Sequence, residues 1–104
     1  MTNTRLTGLE INQMLASLPG WSLMHGREAL GKSFKFANFR EAFAFMTEVG
    51  LYAEKIDHHP EWTNVWNRVD IVLSTHSANG LSALDEKLAK AIEKAAVRFS
   101  PPTA

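Results

Sequence analysis

The spacing of apolar residues divides the chain into alternating helical and strand-like segments. The predicted elements are, in order, a helix over residues 7–18, strands over 21–24 and 29–36, a helix from 38 to about 55, strands over 62–67 and 69–75, and a last helix that ends at Pro101-Pro102. Each helix start carries residues that can cap it: Thr7 with Glu10, Asn38 with Glu41, and Ser82 with Asp85. Two hairpins with helices on one face predict a single α+β domain over residues 1–104, in the order α-β-β-α-β-β-α.

The middle predicted helix has a wider apolar face than a helix packed on a single sheet needs. Its apolar residues cover about half of the circumference at about 100° per residue, whereas a stripe about 100° wide is typical of a surface helix. They are Phe39, Ala42, Phe43, Phe45, Met46, Val49, Tyr52, Ala53 and Ile56. The excess favours a subunit interface over a position deep in the core of a small domain.

Composition and charge exclude several classes of function. Eleven acidic residues balance eleven basic ones, with no run of like charges, so the basic surface of a nucleic-acid-binding protein is not expected. The chain has no cysteine, which excludes disulfides, thiolate nucleophiles and cysteine-ligated metals. The first twenty residues lack the apolar stretch of a signal peptide, and no apolar run reaches the roughly 18 residues of a membrane span. We therefore expect a cytoplasmic protein with no membrane or nucleic-acid partner.

Three of the four histidines fall in two short clusters at predicted chain reversals. His58 and His59 follow the middle helix, and Pro60 disfavours helical geometry at His59, so this segment is expected to be a stiff loop. His76 follows the last strand, and continued strand parity places it on the same side as Ser74. Because an imidazole can both give and take a proton near neutral pH, the clusters predict proton transfer or metal ligation.

The pattern alone leaves other interpretations of these residues open. Three histidines and a carboxylate could complete a zinc site, as in a metal-dependent hydrolase, although adjacent histidines make an awkward ligand pair and no His-x-x-x-His spacing occurs. Hydroxyl groups beside His76 could act as nucleophiles, but no Gly-x-Ser-x-Gly elbow is present. The histidine pair could also be a solvated loop, as is expected of His25 in its glycine-containing turn. Three tryptophans are available to form a wall for a flat ligand, which favours a binding site: Trp21, Trp62 and Trp66.

Four motifs resemble those of the pterin-4a-carbinolamine dehydratase family, which is also known as the dimerisation cofactor of a homeodomain transcription factor. The motifs are Ala53-Glu54-Lys55-Ile56-Asp57-His58-His59-Pro60-Glu61-Trp62, Asn64-Val65-Trp66-Asn67-Arg68-Val69, Leu73-Ser74-Thr75-His76, and Gly80-Leu81-Ser82 with Asp85 downstream. Weaker similarity extends back through residues 43–47 to Trp21. The resemblance therefore covers most of the chain.

The resemblance implies conversion of 4a-hydroxytetrahydropterin, the tetrahydrobiopterin-4a-carbinolamine, to quinonoid dihydropterin and water. This hydro-lyase step recycles the pterin cofactor of aromatic amino-acid hydroxylases, and it implies no metal and no cofactor of the enzyme itself. By resemblance, His58 and His76 would be the acid/base pair, and His59 would join them as a residue that positions the substrate. The substrate-binding residues would be Glu54, Asp57, Pro60, Trp62, Ser74, Thr75, Ser77 and Asp85.

The same resemblance implies a four-stranded antiparallel sheet with three helices on one face, assembled into a homodimer or homotetramer. That assembly fits the wide apolar face of the helix at about residues 38–55. Two positions depart from the family pattern: animal members tend to carry arginine in place of Leu84 and glutamate in place of Ser77, so ionic contacts at the site are expected to differ. The alternative function is a non-catalytic dimerisation or regulatory binding protein on the same scaffold.

Overall fold

The structure is a computed structural model, and it describes residues 4–99. Its elements are α1 (Gly8–Ala16), β1 (Ser22–Leu23), β2 (Leu30–Lys35), α2 (Phe39–Ile56), β3 (Glu61–Val65), β4 (Arg68–Leu73), a short 3-10 helix (His76–Ala78) and α3 (Ala83–Phe99). The predicted α+β class and the order α-β-β-α-β-β-α are confirmed. The predicted helix end at Pro101-Pro102 lies outside the described residues.

Side-chain caps fix the starts of α1 and α2 where the sequence predicts them. In α1, Thr7 Oγ1 accepts from the backbone N–H of Glu10, and the Glu10 carboxylate accepts in return from the N–H of Thr7 at 2.9 Å. In α2, Asn38 Oδ1 accepts from the N–H of Glu41 at 2.9 Å. These bonds satisfy backbone donors that have no partner inside a first helical turn, which is why the boundaries could be predicted locally.

The strands form one antiparallel sheet in the order β1-β2-β4-β3. The central pair is β2 with β4, in a register that places Leu30 opposite Leu73 and Phe34 opposite Val69. These four side chains are buried, and the alternating residues between them mostly are not, so one face of the sheet packs against the helices. Phe34 meets Phe45 of α2 in that core, with ring centroids 5.3 Å apart. The two central strands of the sheet therefore pack beneath α2.

The predicted strand over 69–75 extends two residues too far, because β4 ends at Leu73. A tight turn follows, in which Thr75 pairs with Gly80 as an isolated bridge and Asn79 adopts a left-handed backbone with φ of 55°. Asparagine tolerates that conformation better than most residues. His76 therefore begins a 3-10 turn instead of continuing the strand.

The wide apolar face of α2 divides into a buried and an uncovered part. Ala42, Phe45 and Val49 are buried in the core. Phe39 and Phe43 stack on each other with ring centroids 5.5 Å apart, yet they stay 46% and 56% exposed in the single chain. Large apolar side chains therefore remain in water on this side of the helix. Within residues 4–99, no helix is long and apolar enough to cross a membrane.

Candidate active site

A cleft of about 490 Å³ lies between the segment after α2 and the turn after β4. The β3–β4 pairing brings these two segments together, because Glu61 at the start of β3 lies opposite Val72 near the end of β4. The lining of the cleft contains all three histidines of the two sequence clusters. The lining residues are Asp57, His58, His59, Pro60, Glu61, Ser74, Thr75, His76, Ser77 and Leu84.

The end of α2 sets the directions of the two adjacent histidines. Asp57 adopts a left-handed backbone, with φ of 53° and ψ of 44°, and its N–H donates to the carbonyl of Glu54 at 3.2 Å. The N–H of His58 donates to the carbonyl of Ala53 at 3.0 Å, which closes the helix end. After this reversal His58 is buried, at 8% exposure, whereas the side chain of His59 is 55% exposed. The irregular backbone lets neighbouring histidines take different environments in one cleft.

A fully buried carboxylate, Asp85, lies behind His58. The ring Nε2 of His58 is 2.7 Å from Asp85 Oδ1, and Asp85 Oδ2 accepts from the hydroxyl of Thr75 at 2.7 Å and from the N–H of Ser82 at 3.0 Å. The Ser82 hydroxyl accepts from the N–H of Leu84 at 3.2 Å. Ser82 and Asp85 thus cap α3 as predicted, and the same carboxylate holds a histidine of the cleft.

The donors of this network fix the positions of its protons. Thr75 has one hydroxyl proton and gives it to Asp85, so Ser82 must be the donor in its 2.7 Å contact with Thr75. A carboxylate only accepts, so the neutral ring of His58 carries its proton on Nε2. The lone pair is then on Nδ1, which is the nitrogen that can take up a further proton. Within residues 4–99, no buried side-chain nitrogen or oxygen lacks a hydrogen-bond partner.

The two other histidines are each close to an exposed carboxylate. His59 Nε2 lies 2.9 Å from Glu54 Oε1, and His76 Nε2 lies 3.4 Å from Glu61 Oε2. Arg27, from the connection between β1 and β2, donates to both oxygens of Glu61 at 2.8 Å. The hydrogen bonds from Arg27 are the main cause that lowers the pKa of Glu61 to about 2, with burial opposing them and His76 adding to them. Glu61 is therefore ionised throughout the neutral range.

The pKa of Glu61 makes its contribution to stability depend on pH. The pKa falls from an ordinary 4.5 to about 2 on folding, so the ionised side chain stabilises the fold above about pH 4.5 and loses this effect as the pH drops towards 2. Because the side chain is 44% exposed, we expect this contribution to the free energy of unfolding to be less than about 1 kcal/mol. Urea unfolding of the wild type and Glu61→Gln should show a difference in unfolding free energy at about pH 6 that shrinks at about pH 2.5. An equal difference at both pH values would contradict this.

The tryptophans predicted to form a wall for a ligand do not line the cleft. Trp21 is buried in the core and stacks edge-on against Phe34. Trp66 is 63% exposed in the β3–β4 turn, and Trp62 on β3 is half-buried and outside the lining. Neither the aromatic character of these residues nor their proximity to the histidine clusters in the sequence was enough to predict where their side chains lie.

Two predicted carboxylates, Glu54 and Asp85, lie outside the lining and reach the cleft through the histidines that they contact. The sequence prediction of site residues missed Glu61 and Arg27. Glu61 is part of the histidine motif, but its partner comes from the other hairpin, 34 residues away. Only the strand order shows that the β1–β2 connection reaches this end of the sheet.

Ser77 and Leu84, the two positions that depart from the family pattern, both line the cleft. Leu84 is 7% exposed, and its place in the lining makes that part of the cleft apolar. The change from the arginine of animal members therefore falls on the cleft itself.

No group of three or more His, Asp or Glu side chains in the described part of the chain is arranged to hold a metal ion. Each histidine of the cleft instead directs Nε2 at a different carboxylate: His58 at Asp85, His59 at Glu54 and His76 at Glu61. This pairing suits proton transfer, because each carboxylate orients one ring.

Comparison with known proteins decides the family. The family model described as "Pterin 4 alpha carbinolamine dehydratase" matches residues 4–95. The chain belongs to the pterin 4 alpha carbinolamine dehydratase family. The matched range contains every residue that lines the cleft, including all three histidines.

Individual members of the pterin 4 alpha carbinolamine dehydratase family are similar to this chain over nearly their whole length. Proteins of Brucella ovis and Brucella suis biovar 1, each named "Putative pterin-4-alpha-carbinolamine dehydratase", are 54% identical over 90 residues, which is 86% of this chain and 93% of theirs. A crystal structure from Brucella melitensis, described as a transcriptional coactivator/pterin dehydratase, superposes with a TM-score of 0.88 at 53% identity. The superposed region covers 89% of this chain and 99% of the Brucella melitensis chain.

Proposed function

We propose that the protein is a hydro-lyase that converts 4a-hydroxytetrahydropterin to quinonoid dihydropterin and water, recycling the pterin cofactor of aromatic amino-acid hydroxylases. The observation that carries the proposal is the single cleft lined by His58, His59 and His76. Its volume of about 490 Å³ lies within the usual range of small-molecule sites, about 300–1,000 Å³. Membership of the family supports the same reaction.

The reaction removes hydroxide from C4a and a proton from N5 of the substrate. Hydroxide is a poor leaving group, so an acid must protonate it as the C4a–O bond breaks, and the product is water. The electron pair on N5 forms the double bond to C4a, and a base takes the N5 proton. One proton is delivered and one is removed, so the reaction needs an acid and a base in the same cleft but no oxidant or reductant.

The surroundings of His58 and His76 suit these two histidines to opposite roles. His76 lies beside the ionised Glu61, so an imidazolium at this position has a carboxylate as its neighbour, and we assign His76 as the acid. His58 donates Nε2–H to Asp85 and keeps Nδ1 free to accept the N5 proton, so we assign it as the base. The Asp85 carboxylate then stabilises the imidazolium that forms, in the manner of an aspartate behind a catalytic histidine.

The remaining predicted residues are proposed to bind and orient the pterin. His59, which contacts Glu54, faces the same cleft and is proposed to hold the substrate between the acid and the base. Trp62 does not line the cleft, and we assign it no contact. The residues proposed to contact the pterin ring are Asp57, Pro60, Ser74, Thr75 and Ser77.

The test is the decay of enzymatically generated 4a-hydroxytetrahydropterin, followed by ultraviolet absorbance. Purified protein, treated with a chelator and then freed of it, is expected to accelerate the decay as well as untreated protein. A rate equal to that of buffer alone would reject the dehydratase. Acceleration that is lost with the chelator and restored by zinc would instead favour a metal-dependent enzyme.

A cytoplasmic location and the absence of nucleic-acid and membrane partners stay predictions of the sequence.

A second candidate function is a dimerisation or regulatory binding protein, which the uncovered side of α2 and the coactivator description of the similar Brucella melitensis structure favour. We propose that the stacked pair Phe39 and Phe43 is part of a homodimer or homotetramer interface, since two large exposed aromatic side chains are costly in water. A protein used only for binding would tolerate loss of all three cleft histidines but not a charge on this surface.

Phe43→Asp is expected to convert the oligomer to a monomer, because a buried unpaired carboxylate opposes association. Light scattering coupled to gel filtration measures the change, and Leu9→Asp serves as the matched control, since Leu9 is 68% exposed on a different helix. A wild type that runs as a monomer, or a Phe43→Asp protein that stays oligomeric, would reject this interface.

A further inference from the structure

The connection between β1 and β2 approaches the turn after β4 and is bonded to it. The Ser74 hydroxyl donates to the carbonyl of Glu28 at 3.1 Å, and the N–H of Leu81 donates to the Glu28 carboxylate at 2.8 Å. A Cβ on Gly80 would press against that carboxylate, so the Glu28 side chain would have to shift if Gly80 were replaced. The two segments are therefore held at a fixed distance, with Arg27 next to this contact.

Arg27 extends from this connection to the rim of the cleft. Its guanidinium makes a two-pronged contact with Glu61, and both N–O distances are 2.8 Å. Bidentate pairs of this kind fix the orientation of the carboxylate as well as its position. One oxygen of the carboxylate, Oε2, also lies 3.4 Å from Nε2 of His76. The three side chains thus form a row from the β1–β2 connection to the cleft.

We propose that Glu61 is a positioning residue for His76 and that Arg27 holds Glu61 in place; the inference rests on the dehydratase activity proposed above. An acceptor at Nε2 keeps a proton on that nitrogen, so the proton that His76 delivers to the departing hydroxyl comes from Nδ1. Without the acceptor, the exposed ring can exchange tautomers and turn away from the substrate. The contact of 3.4 Å is long, as catalytic hydrogen bonds often are before the substrate binds.

The kinetic test uses Glu61→Gln, which keeps the shape of the side chain, removes its charge and leaves a single acceptor oxygen, for which Arg27 and His76 then compete. We expect kcat to fall about tenfold, below the roughly 10² to 10⁴-fold contribution of an acid or base itself, with KM changed by less than about threefold. Glu86→Gln is the matched control, because Glu86 forms a surface ion pair with Lys90 at 3.0 Å on α3, and it should leave kcat unchanged.

Arg27→Met is expected to lower kcat in the same direction, because Glu61 then loses the group that orients it. If the two residues act as one unit, the double variant Arg27→Met/Glu61→Gln is no slower than Glu61→Gln alone. Effects that multiply in the double variant would overturn the role of Arg27.

An NMR test of the ring does not depend on activity. Long-range proton–nitrogen spectra in alkaline buffer, where imidazoles are neutral, should show His76 mostly with its proton on Nε2 in the wild type and with mixed tautomers in Glu61→Gln. A tautomer that is the same in both proteins, or an unchanged kcat, would overturn the positioning role. If the wild type shows no dehydratase activity, the proposed function fails, and the NMR comparison alone then decides whether Glu61 orients His76.

Discussion

Replacing His76 with alanine is expected to lower kcat for the carbinolamine by about 10² to 10⁴-fold, the usual contribution of a positioned general acid or base. The proposed acid is then missing, and hydroxide must leave C4a with help from water alone. Because the side chain is 82% exposed, its removal should not alter folding. Turnover is measured from the absorbance decay of the substrate, and thermal unfolding confirms that the variant is intact.

His25→Ala provides the matched control for this variant. His25 is an exposed histidine in the connection between β1 and β2, and it does not line the cleft. The same chemical change at His25 should leave kcat within about twofold of the wild type, since surface substitutions outside a site rarely have larger effects. Equal turnover of His76→Ala and the wild type would remove His76 from the mechanism and, with it, the assignment of the acid.

The largest loss of stability is expected from Asp85→Ala. This change leaves the ring N–H of His58, the hydroxyl of Thr75 and the backbone N–H of Ser82 without their common acceptor inside the protein. Removing one partner of a buried charged network costs about 3–5 kcal/mol, a large part of the stability of a small domain. Urea unfolding measures the loss, and Asp70→Ala is the control, because Asp70 is partly exposed and pairs with Arg68 at 3.3 Å.

Asp85→Asn separates the role of Asp85 in folding from its role at the site. The amide oxygen of the new side chain can accept from Thr75 and Ser82, and its NH2 group then faces His58. That arrangement forces the ring proton of His58 onto Nδ1, the nitrogen proposed to act as the base. We expect a folded variant with kcat reduced at least about a hundredfold. Full activity in a folded Asp85→Asn protein would contradict the assigned tautomer and the base.

The helix starts could be predicted because their signals are local. Thr7, Asn38 and Ser82 each cap a helix through residues no more than three positions away. The end of β4 was predicted too late, since the bridge between Thr75 and Gly80 depends on a left-handed turn that periodicity does not indicate. The hydrophobic pattern therefore predicts which elements form, whereas the residue at which an element ends depends on turn geometry that the pattern does not indicate.

The candidate site was predictable where its residues belong to short sequence motifs or to one hairpin. The histidine motif contains both rings of the first cluster, and the register of one hairpin brings His76 beside them. By contrast, the pairing of Arg27 with Glu61 joins two hairpins, and the burial of Asp85 behind His58 depends on how α3 docks. Such contacts follow from tertiary packing, which one sequence read by periodicity does not specify.

The β3–β4 hairpin also has a consequence for engineering. Every residue that lines the cleft falls within one continuous stretch, residues 57–84, between the end of α2 and the first turn of α3. Within that stretch, the core residues Val69, Ile71, Leu73 and Leu81 and the cap residue Ser82 must be kept. The positions that line the cleft lie between these fixed residues, so they can be varied together in a single block of sequence while α1 and most of α2 and α3 stay unchanged.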